Sequence, residues 1–130
     1  MIRGSCCCGR VQFAISEKPK LVAACHCSRC RKLGATPFAF VSAESFELLA
    51  GRDQIAVYRP EPPFEYARCF CAHCGTSLGE IFSAEKSFPI PVNCFDEDLG
   101  VEIRFHEHVA TKPSWQVIPE GVKQFAGDPS

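Results

Sequence analysis

Seven cysteines in three short clusters constrain this chain more than any other feature: Cys6/Cys8, Cys25/Cys27/Cys30 and Cys71/Cys74. Cysteines two or three positions apart are poorly placed to bridge one another, but they chelate one ion well. The first and last clusters are 63 positions apart, counted from Cys8 to Cys71. An ion held by both would join distant parts of the chain.

Metal competes here with a disulfide framework. The opening Met1 to Ser5 leads into no apolar stretch long enough for a signal peptide, and no window approaches the length of a transmembrane helix. A reduced, cytoplasmic setting is therefore expected, and there clustered cysteines favour metal. Ten of the 130 residues are Cys, and they count toward the 46% hydrophobic share. A core this dependent on cysteine calls for help from cross-links or metal. A net charge of -1 gives no electrostatic footprint for nucleic acid or an anionic membrane.

Two of the clusters echo each other. Cys6-Cys7-Cys8-Gly9 and Cys71-Ala72-His73-Cys74-Gly75 are both paired cysteines closed by glycine. Each reads as a zinc knuckle, a tight turn that aims two sulfurs at one ion, with glycine supplying the positive φ that such a turn needs. Structural zinc takes four ligands, whereas a catalytic zinc keeps a position open. Seven ligands divide as four plus three. The matched knuckles make a closed tetrathiolate site, and Cys25, Cys27 and Cys30 are left with a vacant corner. Water, a substrate thiolate or another side chain fills that corner. Among side chains, His106 and His108 are better placed than His26, which lies between two ligands; on a strand the two also read as an exposed polar face. His73 and the spare cysteines Cys7, Cys69 and Cys94 are further candidates. Cys69 reads as a small buried residue, Cys7 as pointing away from the ion, and Cys94 as lying in a loop without a partner.

The remaining pattern is mostly β. Val11, Phe13 and Ile15 alternate with polar or small neighbours, as do Phe38 with Phe40, Phe46 with Leu48, and Ile55 with Val57. Tyr66 to Phe70 leads into the last cluster and Leu78 to Phe82 leads away. Val101, Ile103 and Phe105 alternate with Glu102, Arg104 and His106, and short strands are expected at Ile2 and at Leu21 to Ala24. Helix is predicted only at Ser28 to Leu33, with a turn near Asp96 to Leu99. The prolines around Pro60, Pro62 and Pro63 mark a surface loop. The prediction is an all-β single domain over residues 1–126, built of several small antiparallel sheets with little helix, and a frayed tail over 127–130.

Four blocks carry a family resemblance. They are Gly4 to Val11, Cys25 to Ala35 with its Cys25-His26-Cys27 and Cys30-Arg31-Lys32, Phe70 to Leu78, and Thr111-Lys112-Pro113-Ser114-Trp115. In this order they resemble the motifs of the glutathione-dependent formaldehyde-activating enzyme family, which includes centromere protein V-like proteins. The resemblance implies a tent-like all-β fold. It implies two zinc ions per chain, a structural one at Cys6, Cys8, Cys71 and Cys74 and a more labile one at Cys25, Cys27 and Cys30. It further implies carbon–sulfur lyase chemistry on the adduct of formaldehyde and glutathione. An anionic thiol calls for cations, and Arg29, Arg31, Lys32 and Lys112 lie beside the motifs, either as substrate contacts or as solvated surface charge. Trp115 either packs on a sheet or walls a pocket with Lys112. The alternative function is a non-catalytic zinc module that carries a thiol or binds a protein partner. The resembling fold is shared with a nucleotide-exchange chaperone of small GTPases.

Overall fold

A computed structural model describes residues 1–130. Eleven strands form three sheets. The first sheet holds β1 (Ile2–Ser5), β2 (Gln12–Ile15) and β5 (Phe46–Ala50), all antiparallel. The second has the order β11-β10-β3-β4-β9, with β3 (Leu21–Cys25), β4 (Phe38–Ser42), β9 (Ser87–Pro91), β10 (Ile103–Glu107) and β11 (Lys123–Gln124). The third is β6 (Ile55–Tyr58), β7 (Arg68–Cys71) and β8 (Ser77–Gly79). The single helix, α1 (Ser28–Leu33), lies where the sequence predicts it. No helix is long and apolar enough to cross a membrane.

Most predicted strands form. Phe13 and Ile15 are fully buried, and Phe13 packs on Phe46 and Phe95 with ring centroids 5.5 Å apart in each case. They belong to a main core with Val11, Val41, Leu78 and Ile90. A smaller core of Ala23, Cys25, Cys30, Ala35 and Phe38 sits beneath α1.

The structure departs from the sequence reading in five places. The sheets are not all antiparallel, because β10 pairs in parallel with both β3 and β11. Those strands are joined by long connections, which parallel neighbours require. Strand β9 carries Pro89 and Pro91, residues that argue against a central strand; it forms because it is an edge strand, where missing N–H donors cost little. No helical turn forms at Asp96 to Leu99; a 3-10 turn forms earlier, at Val92–Cys94. His106 is buried rather than on an exposed face. Ile103 pairs with Val22 and Phe105 with Ala23, so Arg104 is an extra residue and the strand bulges there. The bulge slips the alternation by one, and His106 joins Ile103 on the inner face. The tail is tied as well: Gly127 accepts a backbone hydrogen bond from His108 at 3.0 Å, and Asp128 meets His108 Nε2 at 2.8 Å.

Candidate metal centres

The first centre joins the turn after β1 to the turn between β7 and β8. Cys6 and Cys8 sulfurs are 3.5 Å apart, and Cys8 and Cys71 sulfurs 3.8 Å. All four sulfurs of Cys6, Cys8, Cys71 and Cys74 lie within 4.8 Å of one another. A tetrahedral zinc with bonds of about 2.3 Å needs sulfurs about 3.8 Å apart, so the set fits. The knuckles match in backbone as well as in sequence. Gly9 and Gly75 both have φ of 80°, and each donates its N–H to the carbonyl of the first cysteine, at 3.0 Å to Cys6 and 2.8 Å to Cys71. Thr76 ties the turns together: its hydroxyl accepts the Cys7 N–H at 2.9 Å and lies 3.2 Å from Cys74 Sγ. That hydroxyl pulls the Cys74 thiol down to about 5, and the Arg10 backbone lowers Cys8, while burial lifts Cys6 to about 11. Cys7 is exposed and takes no part, as expected.

The second centre is built where β3 runs into α1. Cys25 ends the strand, and Cys27 caps the helix by accepting the Cys30 N–H on its sulfur at 3.3 Å. Gly34, left-handed at φ 66°, stops the helix after 6 residues. The three sulfurs lie within 4.8 Å of one another, a spacing that also suits one ion. Crowding splits their protons. Cys30 is held down at about 5, first by its hydrogen bond with Cys25 and then by the Arg68 guanidinium, while that same hydrogen bond and burial push Cys25 up.

Cys25 also belongs to a second cluster of ligand atoms, with Glu107 at the end of β10 and His108 just beyond it. Glu107 lies opposite Cys25 in the parallel pairing, and Cys25, Glu107 and His108 each bring a ligand atom within 4.8 Å of the others. Burial raises the Glu107 carboxyl, with Cys25 opposing the shift. His108 therefore belongs beside the site rather than on a free strand face. Glu107 was not visible in sequence, since nothing there says that β10 pairs with β3. His26 and His106 are occupied with each other. His26 Nε2 and His106 Nδ1 are 2.7 Å apart, the rings stack 12° from parallel, and burial lowers both pKa values. His73 is exposed on the second knuckle.

A cavity of about 130 Å³ opens beside Cys25, lined also by His26, His106, Arg31, Thr36 and Trp115. Trp115 is 71% exposed, so it walls this cleft rather than packing on a sheet. The predicted cations diverge. Arg31 lines the cleft. Arg29 turns away, stacking 4.0 Å from the Phe64 ring and donating to the Tyr58 hydroxyl at 2.8 Å. Lys32 is exposed. Lys112 donates to the carbonyls of Gln116 at 2.6 Å and Pro113 at 3.3 Å, bracing the loop that carries Trp115. All ten cysteines are free; Cys69 is buried as expected, and Cys94, though predicted to have no partner, is buried and donates to the Ser77 carbonyl at 2.7 Å.

A curated protein of Schizosaccharomyces pombe, named as the uncharacterized lyase C29B12.13, is 34% identical over 76 residues. That match covers 58% of this chain and 53% of the relative, so the chain spans about half the length of the curated relative it matches. A crystal structure of a Rhodobacter sphaeroides protein superposes with a TM-score of 0.59 at 20% identity, covering 77% of this chain and 90% of that one, and shares the fold. The profile of the family described as glutathione-dependent formaldehyde-activating enzyme matches residues 1–112. With both cysteine knuckles, the Cys25 to Cys30 cluster and Lys112 inside that span, the chain belongs to the glutathione-dependent formaldehyde-activating enzyme family.

Proposed function

We propose that this protein is a zinc-dependent carbon–sulfur lyase acting on a small thiol–aldehyde adduct of the S-hydroxymethylglutathione type, with Cys6, Cys8, Cys71 and Cys74 holding a structural zinc and Cys25, Cys27 and Cys30 a reactive one. The observation that carries this reading is the cleft beside Cys25, where a three-sulfur centre meets a cation and an aromatic wall. Family membership and the lyase name of the yeast relative support it. A cytoplasmic, reducing setting fits ten unpaired cysteines.

Cys25, Cys27 and Cys30 would hold the zinc, which would supply a place where a further thiolate stays ionised at neutral pH. The reaction needs little else. In the direction of cleavage the adduct's hydroxyl loses its proton, its C–S bond breaks, and the electron pair leaves on sulfur, giving aldehyde and thiol; synthesis is the reverse. Arg31 offers a positive charge to the carboxylates of a glutathione-like thiol, and Trp115 shields one side of the cleft. His26 and His106, joined to each other, line the same cleft.

Zinc analysis is expected to give two ions per chain. With cobalt in the second site, titration with glutathione should shift the visible absorption, and glutathione with formaldehyde should shift it further. An unchanged spectrum with every small thiol tried would overturn the lyase reading.

A further inference from the structure

Helix α1 is gripped from outside its own motif. Arg29 of α1 reaches the Tyr58 hydroxyl on β6, and Arg68 on β7 reaches back to Cys30. Tyr58 and Arg68 are direct cross-strand partners, so one rung of the third sheet holds two successive helix residues. Both terminal nitrogens of Arg68 address the same sulfur, at 3.8 and 3.7 Å. No carboxylate claims this guanidinium at ion-pair distance, the only such pair being His108 with Asp128. Glu80 acts on it only at longer range.

Charge counting gives this contact a role. Three thiolates around a zinc dication leave one excess negative charge, which weakens the ion's pull on further ligands and repels an anionic thiol. One guanidinium at Cys30 Sγ cancels that excess. Groups that hydrogen-bond to metal ligands typically change metal affinity by about 10–100-fold when removed. We infer that Arg68 is a positioning residue of the second centre, an outer cation that neutralises the three-thiolate zinc and holds Cys30 in place for it. This rests on the reading that Cys25, Cys27 and Cys30 hold zinc.

The same strand also runs from one centre to the other. Arg68 stands at the start of β7, and Cys71, a ligand of the first centre, at its end. The strand that the structural metal fixes is the strand that delivers the charge to the reactive one.

The test is zinc competition against a chromophoric chelator, read separately for the two sites, on the wild type and on Arg68→Gln, Arg68→Met and Arg68→Lys. The charge-removing variants are expected to weaken the second site by about 10–100-fold and leave the first site alone. Arg68→Met keeps the packing of the stem, so it reports the charge if Arg68→Gln folds poorly. Arg68→Lys should recover part of that loss, because it returns the charge without the two-nitrogen fork, and the thiolate-to-cobalt charge-transfer band should move most in the Gln and Met variants. Unchanged second-site affinity in Gln and Met variants, or an equal loss in the Lys variant, would overturn the inference while leaving the lyase reading intact. A wild-type protein that binds a single zinc would overturn both.

Discussion

At the scale of single residues, the His26–His106 pair illustrates how a buried polar contact ties stability to pH. One ring nitrogen donates and the other accepts across 2.7 Å. Burial lowers the His106 pKa below the ordinary value near 6.5. Above that value neither the folded nor the unfolded chain carries the proton, and the contribution is complete. Below it the unfolded chain takes up the proton first, so stability falls as the solution becomes acidic. Replacing His106 with Gln removes this titration while retaining a donor and an acceptor. The variant is expected to lose about 1–3 kcal/mol at pH 7.5 through an imperfect bond to His26. It should also lose less melting temperature than the zinc-loaded wild type between pH 7.5 and 5.5. A wild type and variant with parallel pH profiles would show that His106 does not carry the effect. This residue was misplaced by sequence reasoning for a definite cause. Alternation assigned it to the face of Arg104, and a one-residue bulge, which alternation does not register, moved it to the other.

At the scale of elements, glycine at an element's end separates conformational strain from collision. Gly34 ends α1 and Gly79 ends β8, with φ of 66° and 72°. An added Cβ at Gly34 meets nothing within 4 Å, whereas at Gly79 it runs into the Pro89 carbonyl of β9. Gly34→Ala should therefore cost only the left-handed penalty, about 1–2 kcal/mol. Gly79→Ala adds a clash with backbone that also accepts the Glu80 N–H at 3.0 Å, and should cost at least 3 kcal/mol or so in urea unfolding. Equal losses would mean that β8 and β9 can slide apart freely. The strands themselves were legible wherever one face met the core, as with Phe13 and Ile15. They were illegible where pairing rather than burial makes the strand: β11 is two exposed residues held by β10, and β9 is proline-bearing and survives at an edge.

At the scale of the molecule, the two centres stand at different joints. The first links the end of β1 in one sheet to β7 and β8 in another. The second sits inside the smaller core, where Ala23 and Cys25 of β3 and Phe38 of β4 already cluster with Cys30 of α1. The clusters were readable from spacing alone, because the spacing within each cluster is local. Glu107 and Arg68, which complete the surroundings of the second centre, were not, because their approach depends on which strands pair. The difference in position sets a difference in dependence. Structural zinc contributes about 10–16 kcal/mol in small peptides, comparable with the whole stability of a domain at about 5–15 kcal/mol. Only 29 of 130 residues are buried, so the sheets joined by the first centre have little core to spare when it is lost. Cys74→Ser is therefore expected to leave the protein insoluble or unfolded. Cys25→Ser should remove one zinc and retain the circular dichroism of the wild type. Mild chelation should reproduce the second result and strong chelation the first, in that order. A soluble Cys74→Ser protein with unchanged melting temperature and zinc content would remove the structural role from the first centre.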